Sequence, residues 1–364
     1  MTMRKKLFST MEGCVVNNCI YMVDIDTWLF CKYDLQLNQL SIVAELENKV
    51  DKLCFCEKIL CVNNVFYIVL RNSKRLYVVD EKNTVSCYGR ENPIFDNNAF
   101  LYVEAAIIDE KIYLLPGNTD GFITVFDTKT KEYCNDIKLD SIVKKTYKSN
   151  LILSYVFGNN NDSWFCVNGT NEMYHISLLE RKAELIKCSP EFIFKMIGGH
   201  GNCLILLEKD GYRIAQYKNK KFSIFNADNI EEKYENLMGY QALICDKENI
   251  YLLPPKMDKI HVFRIGGEYY KTISIPEESK NIYEIRNYGA KFINFIINGE
   301  AILLLPFSAN GIVEIDTKKL NAKYYSVNIP YASIIRRKID NKASITFYEN
   351  EHLDVREYVM ALID

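Results

Sequence analysis

The sequence predicts an all-β protein built from repeated four-stranded units. Residues 112–116, 250–254 and 302–306 share one pattern, with Ile first, Tyr or Leu next and Pro last. Each segment precedes a polar turn and a second short apolar run, which is the pattern of two antiparallel strands. The length of 364 residues suits a repeat fold that forms one unit.

The spacing of these strands gives the length of the repeat. When the last residue of the strand is taken as an anchor, anchors recur at intervals of 41 to 52 residues. Repeats of about 40 to 50 residues are typical of the blades of a β-propeller. The eight anchors are Asp24, Leu70, Pro116, Val167, Glu208, Pro254, Pro306 and Tyr348.

A tight turn before each anchor strand tests this alignment independently. The two positions that lie seven and six residues before the anchors are polar or Gly in all eight repeats, and half of these sixteen residues are Asn. Tight hairpin turns need positive φ, which Asn, Asp and Gly tolerate best. A fourth strand follows in most repeats, and the turn before it begins with Asp at 34, 80, 127 and 316. We expect these Asp side chains to hydrogen-bond the backbone two residues further on.

Four-stranded units repeated along an all-β chain predict a single β-propeller domain over residues 1–364. Eight blades are favoured over seven, because eight anchors are found. The last repeat leaves few residues for its own fourth strand, so residues 3–9 are expected to close the ring. The predicted blades are 10–47, 50–92, 100–140, 147–189, 192–228, 236–276, 288–330 and 331–364.

In outline the repeat resembles the kelch and PQQ/YVTN-like group of propellers. Residues 111–115, then 125–127, Lys131 and Tyr133 follow the order of a kelch blade. The kelch diglycine is replaced by Leu115-Pro116, and the Trp-Asp pair of WD40 blades is missing. The resemblance implies the architecture and carries no catalytic residue with it.

Composition narrows the possible partners. The net charge of −2 disfavours a general nucleic-acid binder, so the basic runs at 218–221 and 336–338 are predicted to be solvated turns or edges. The sequence shows neither a signal peptide nor a run of about 20 apolar residues, which predicts a cytoplasmic protein without a membrane partner. The twelve cysteines are irregularly spaced and are predicted to be reduced.

A search for catalytic motifs finds no HExxH, Walker, Rossmann or G-x-S-x-G pattern, and no metal or cofactor is predicted. His200 falls in a glycine-rich stretch, 198–202, that the repeat places in a hairpin turn. His175 and His261 fall in third strands and are predicted to be structural or solvated. Whether the protein is an enzyme stays open, with a non-enzymatic role favoured.

Aromatic residues follow the repeat. Tyr21, Tyr67, Tyr113 and Tyr251 share one position, three residues before the anchor, which predicts packing between blades. Trp164 takes that same position and is predicted to be in the core. Trp28 instead follows its anchor in the loop between the second and third strands, where an exposed Trp would suit a binding face.

The loops between second and third strands are the predicted binding face, since loop variation on a fixed scaffold is where function usually lies. The favoured function is a non-enzymatic scaffold that binds a protein or peptide through this rim. An enzyme or a binder of a small ligand such as a carbohydrate, with its site at the mouth of the central channel, is the alternative, and a structural role in an oligomer is a third. The candidate binding residues are Trp28, Arg71, Arg75, Asp120, Lys256, Asp258 and His352.

Overall fold

The structure is a computed structural model, and within the residues it describes the chain forms seven antiparallel sheets. In each sheet the strands follow one another as a meander, so that every strand pairs with its neighbour in sequence. The described residues are 10, 12–24, 28–46, 56–71, 73, 75–89, 101–134, 136–143, 150–158, 162–200, 203–209, 213–226, 240, 242–253, 258–279, 292–306, 309 and 311–327.

The first three sheets show the pattern and one variation of it. In the third sheet the outer strand is broken into two short strands, which both pair with β11. The strands are β1 (Gly13–Val16), β2 (Cys19–Val23), β3 (Leu29–Asp34) and β4 (Gln39–Glu45); β5 (Cys56–Val62), β6 (Val65–Leu70), β7 (Leu76–Val79) and β8 (Val85–Tyr88); β9 (Tyr102–Ile108), β10 (Lys111–Pro116), β11 (Phe122–Asp127), β12 (Glu132–Tyr133) and β13 (Ile137–Lys138).

A short helix, α1 (Leu139–Val143), follows the third sheet, and four regular sheets come after it. The repeat pattern predicts strands and turns alone, so α1 was not predicted from the sequence. The strands are β14 (Tyr155–Phe157), β15 (Asp162–Cys166), β16 (Glu172–Ser177) and β17 (Lys182–Lys187); β18 (Phe194–His200), β19 (Cys203–Glu208), β20 (Arg213–Lys218) and β21 (Lys221–Asn226); β22 (Ala242–Cys245), β23 (Asn249–Leu253), β24 (Lys259–Arg264) and β25 (Tyr269–Ser274); β26 (Phe292–Asn298), β27 (Ala301–Pro306), β28 (Gly311–Asp316) and β29 (Asn321–Ser326).

The number of blades is seven, and the prediction of eight is wrong. The anchors from Asp24 to Pro306 each lie at or next to the end of the second strand of one sheet. Each sheet takes its strands from consecutive residues, so none of the seven needs the last repeat or residues 3–9 to complete it. Sequence reasoning counted an eighth repeat from a hairpin-like pattern around Tyr348; residues 331–364 and 3–9 lie outside the described residues.

The hairpin turns confirm the predicted turn chemistry at three of the repeats. Asn17 and Asn18, Asn63 and Asn64, and the pair at 109–110 all have φ between 48° and 62°. Two successive residues with positive φ form the turn whose twist matches a right-handed pair of strands. The sixth sheet uses another device, because the Asp246 carboxylate accepts hydrogen bonds from the backbone N–H groups of Glu248 and Asn249, both at 2.7 Å.

The Asp residues that open the turns before the fourth strands also behave as expected. The carboxylate of Asp127 accepts the backbone N–H groups of Lys129 and Thr130 at 2.9 and 3.0 Å. These hydrogen bonds lower the pKa of Asp127, and equivalent bonds lower the pKa values of Asp34 and Asp316. Asp80 accepts the N–H groups of residues 82 and 84 in the same way.

The chain divides into two compact units, one of residues 1–67, 77–86 and 276–364 and one of residues 68–76 and 87–275. In the first unit an apolar cluster between the first and seventh sheets includes Met22 and Leu305. In the second unit the third to sixth sheets pack successively through three clusters, centred on residues such as Phe165, Leu206 and Phe263. The extent of the predicted single domain stays a prediction.

The prediction that the glycine-rich stretch at 198–202 forms a hairpin turn is wrong for its first two glycines. Gly198 and Gly199 lie within β18 and not in the hairpin turn that sequence reasoning assigned to them. A Cβ at Gly198 would lie 2.6 Å from Leu243, and one at Gly199 would lie 2.8 Å from the carbonyl oxygen of Cys203. Close packing therefore requires these glycines. Throughout the described part of the chain, no helix has the length and apolar character of a membrane span.

Candidate functional site

A pocket of about 240 Å³ lies between the third and fourth sheets, inside the second unit. One wall belongs to the third sheet, and the other is the turn that joins β16 to β17. The apolar lining residues are Val125, Ile137, Leu178 and Leu179, and the polar ones are Lys111, Tyr113, Cys134 and Arg181.

Strand alternation places the wall residues of the third sheet on one face. Lys111 pairs with Asp127 and Tyr113 pairs with Val125 across β10 and β11. Side chains two residues apart on a strand point to the same side. Further along this face, Leu115 and Ile123 are buried in the apolar cluster between the two sheets. The pocket therefore lies where the packed interface between the two sheets reaches the hairpin end, which we define as the end that carries the β9–β10 and β16–β17 turns.

The turn at residues 178–181 forms the outer lip. Leu178 is buried against the apolar cluster, whereas Leu179 is 50% exposed. Arg181 has φ of 55°, the same left-handed conformation that Asn38, Lys131 and Leu320 adopt in the corresponding turns. The repeat turn thus fixes the backbone, and in this sheet it places Leu179 and Arg181 at the pocket.

Two positive charges at the pocket make no salt bridge with any described residue: those of Lys111 and Arg181. Their neighbours are paired, Lys182 with Glu180 at 3.0 Å and Lys129 with Glu110. The nearest acidic partner in register with Lys111 is Asp127, whose carboxylate is occupied by the backbone of its own turn. The described lining carries these two cations and no carboxylate, and the nearby carboxylates of Asp109 and Asp127 act on it from outside the lining.

Tyr113 provides a hydrogen-bonding group inside the pocket. The residue as a whole is only 7% exposed, but its hydroxyl is accessible from the pocket and makes no hydrogen bond with a described residue. Burial raises the pKa of Tyr113, as does the charge of Asp109, while Arg181 opposes the shift. At neutral pH the hydroxyl is therefore a protonated donor.

A second group of polar and aromatic residues lies on the fourth sheet. The Trp164 indole stacks on the His175 imidazole with centroids 4.0 Å apart. His175 Nε2 lies 3.0 Å from Asp162 Oδ2, and its Nδ1 lies 4.0 Å from Glu184 Oε2. Trp164 is half-buried and packs against the apolar cluster between the fourth and fifth sheets, so it lies at the edge of the core in which it was predicted. This row binds β15, β16 and β17 together and lines no described cavity.

The predicted site residues that the structure describes lie in loops between second and third strands, and none of them lines the pocket. Trp28 is 7% exposed, packs 6.3 Å from the Tyr77 ring and has φ of 58°. The expectation of an exposed Trp28 is therefore wrong. Sequence reasoning identified its loop correctly but could not show that the next repeat covers it.

The other predicted residues have local backbone roles where they are described. The Arg71 carbonyl accepts the Tyr102 N–H at 2.8 Å, and the Arg75 N–H donates to Ser73 at 3.2 Å. Asp120 is exposed in a turn, and the Asp258 carbonyl accepts the Ile275 N–H at 2.9 Å. Lys256 and His352 lie outside the described residues. A binding role for this set stays a prediction.

Sequence reasoning named several pocket residues without assigning them to a site. Lys111 and Tyr113 were read as part of the repeat, and Arg181 was not singled out. The turn at 178–181 gave no distinguishing signal, because the corresponding turns also contain apolar residues such as Leu37 and cations such as Lys131. Within the described residues, no group of three or more His, Cys, Asp or Glu side chains could hold a metal ion. Each described cysteine is free.

The seven sheets of the described residues, six with four strands and one whose outer strand is broken in two, define the chain as a seven-bladed β-propeller. Solved structures with similar folds include virginiamycin B lyase from Staphylococcus aureus, with a TM-score of 0.60 and 12% identity over 84% of this chain and 96% of that chain. YCF48 from Cyanidioschyzon merolae gives 0.58 and 10% over 86% and 96%. Hsv2 from Kluyveromyces lactis gives 0.53 and 12% over 89% and 100%. At these identities the likeness shows the fold alone. No protein-family model and no curated protein sequence matches the chain.

Proposed function

We propose that the protein is a non-enzymatic scaffold that binds a peptide segment of a partner protein. The pocket between the third and fourth sheets receives one apolar side chain of that segment. The observation that carries this proposal is an open pocket with apolar walls and a half-exposed leucine at its lip.

The size of the pocket favours a side chain over a whole metabolite. Pockets for drug-sized ligands typically measure about 300–1,000 Å³. The 240 Å³ measured between the sheets lies below this range. A dry cavity of about 150 Å³ is enough to bind benzene. A ring or a branched apolar side chain therefore fits, and the rest of the ligand has to lie outside on the rim.

The position of Leu179 favours a macromolecular partner, because the part of the ligand that lies outside the pocket would contact this side chain. Its exposed half adjoins the pocket, so a peptide that fills the pocket would also cover it. Binding energy at protein interfaces concentrates in a few such apolar anchors surrounded by polar groups. The function predicted from the sequence is kept, but the surface proposed for it is the hairpin end of the third and fourth sheets. The enzyme or small-ligand alternative stays a prediction.

A selection of peptides tests the proposal. A phage-displayed library of random peptides is panned on the purified full-length chain. The enriched peptides are synthesised, and their binding to the wild type and to two variants is measured by titration. Leu179→Asp is expected to weaken binding about tenfold or more, since a buried charge replaces an apolar contact. The matched control is Leu185→Asp, which alters a leucine of the same sheet that is 45% exposed and lies outside the pocket. Equal effects of the two substitutions would reject the pocket as the binding site.

Two exposed cysteines give a second measurement on the unmodified protein. Cys134 lines the pocket, whereas Cys87 does not, and both side chains are exposed. A bound peptide should slow alkylation of Cys134 and leave that of Cys87 unchanged, as read by mass spectrometry. Unchanged alkylation of Cys134 at a saturating peptide concentration would contradict the proposal.

A further inference from the structure

We infer that the polar end of the pocket recognises an oxyanion, so that the bound segment carries a carboxylate or phosphate group beside its apolar side chain. This inference rests on the proposed function and specifies the chemistry of the partner. The groups that bind the oxyanion are the Tyr113 hydroxyl, the Lys111 ammonium and the Arg181 guanidinium.

The first argument is the hydroxyl of Tyr113. Although Tyr113 as a whole residue is only 7% exposed, its hydroxyl is not among the buried polar atoms that lack a partner, so this oxygen is accessible from the pocket. The hydroxyl makes no hydrogen bond with a described residue. It can therefore donate a hydrogen bond to a ligand that carries an acceptor.

The second argument is the character of the polar lining. Lys and Arg side chains only donate hydrogen bonds, and a protonated Tyr hydroxyl donates one. With Cys134 as the remaining polar residue, the described lining offers donors and no strong acceptor. A neutral amide would leave its own N–H groups without partners, whereas a carboxylate or phosphate accepts from all three donors.

The third argument is charge. Lys111 and Arg181 stand on opposite walls, one on β10 and one in the turn after β16, and neither makes a salt bridge with a described residue. Lys182, which follows Arg181 in the sequence, and Lys129, in a turn of the same sheet as Lys111, are already paired. Arg presents a planar fork that matches carboxylate and phosphate oxygens, and acidic or phosphorylated motifs are commonly bound in this way.

A set of four peptides tests the inference. They share a Gly-Ser flank and differ in one central pair: Phe-Glu, Phe-phosphoserine, Phe-Gln or Phe-Lys. Calorimetric titration of the full chain is expected to give about tenfold tighter binding for at least one of the two anionic peptides than for the Gln peptide, because hydrogen bonds to charged groups are the stronger ones. The ratio of the dissociation constants of the two anionic peptides identifies whether the site prefers a carboxylate or a phosphate.

Matched variants assign the effect to the pocket. Lys111→Gln and Arg181→Gln are each expected to weaken binding of the anionic peptide about tenfold, and Tyr113→Phe about threefold, with little effect on the Gln peptide. The controls Lys129→Gln and Lys182→Gln remove the neighbouring paired charges and should change binding by less than about twofold. Equal binding of anionic and Gln peptides, with Leu179→Asp still harmful, would overturn the inference and leave the proposed function intact.

Two small probe molecules distinguish a failure of the oxyanion inference from a failure of the peptide-binding proposal. 3-Phenylpropionate and 3-phenylpropionamide have the same shape and differ in the oxyanion. If the inference is right, the acid protects Cys134 from alkylation at a lower concentration than the amide, and Lys111→Gln removes the difference. That result would support oxyanion recognition even if no peptide bound, in which case only the peptide-binding proposal would fail. Equal protection by acid and amide would overturn the inference.

Discussion

The third and sixth sheets carry Tyr at the same repeat position but use it in opposite ways. Tyr251 of the sixth sheet is fully buried and donates to Asp246 Oδ2 at 2.7 Å, while Asn249 Nδ2 donates to its hydroxyl at 3.3 Å. Arg264 then donates to Asn249 Oδ1 at 2.9 Å and stacks on the Tyr270 ring. Tyr113 of the third sheet has none of these partners and faces a pocket.

The difference follows from three substitutions in the repeat. Counted from the anchors, Ile108 stands in the third sheet where the sixth has Asp246, and Lys111 stands where it has Asn249. The third difference is on the neighbouring strand. Asp127 lies opposite Lys111 in the third sheet, whereas Arg264 lies opposite Asn249 in the sixth. The same fold therefore makes a closed polar network with one set of side chains and an open pocket lined by two cations with the other.

The largest expected effect that tests this comparison is on stability. Tyr251→Phe should lower the free energy of unfolding by about 1–2 kcal/mol, because it leaves Asp246 and Asn249 without their shared partner. Tyr113→Phe should change it by less than about 0.5 kcal/mol, because no hydrogen bond to a described residue is lost. Urea denaturation of both variants measures this, and equal losses would show that Tyr113 is as tightly bound as Tyr251.

The two arginines give a smaller contrast. Arg264→Ala should cost about 1 kcal/mol, since it removes a hydrogen bond to a buried amide and the packing of the guanidinium on Tyr270. Arg181→Ala should lie within about 0.5 kcal/mol of the wild type, as expected for a surface charge without a partner. Thermal unfolding of the pair measures the difference, with peptide binding of Arg181→Ala recorded on the same samples. A greater loss for Arg181→Ala would mean that its side chain holds the turn together and is not a ligand group.

Local chemistry explains which parts of this structure the sequence could predict. Turns such as Asn17-Asn18 depend on the φ preferences of the residues themselves, and Asp127 reaches only the next few N–H groups, so both were predicted correctly. The burial of Trp28 depends on Tyr77 of the following repeat, which no local pattern reports. The pocket is still harder to predict from the sequence. It depends on the absence of hydrogen-bond partners for Tyr113 and on a turn that belongs to another sheet.

The smallest expected effect concerns the residue that replaces Arg264 in the third sheet. Hydrogen bonds from the backbone of Thr130 and Lys129 hold the pKa of Asp127 below its ordinary value of 3.8. A lowered folded-state pKa contributes stability above the unfolded-state value, and this contribution is lost as the pH falls through the folded-state value. Asp127→Asn keeps the acceptor oxygen and removes only the charge.

The stability difference between wild type and Asp127→Asn should therefore be small and constant from about pH 7 to pH 5. It should shrink below pH 4 and vanish once Asp127 is protonated, because the protonated acid and the amide are then alike. Denaturation with urea at stepwise pH measures the difference. A difference that persists after Asp127 has been protonated would show that Asn distorts the turn. In that case the charge of Asp127 would not be what stabilises the hairpin beside the pocket.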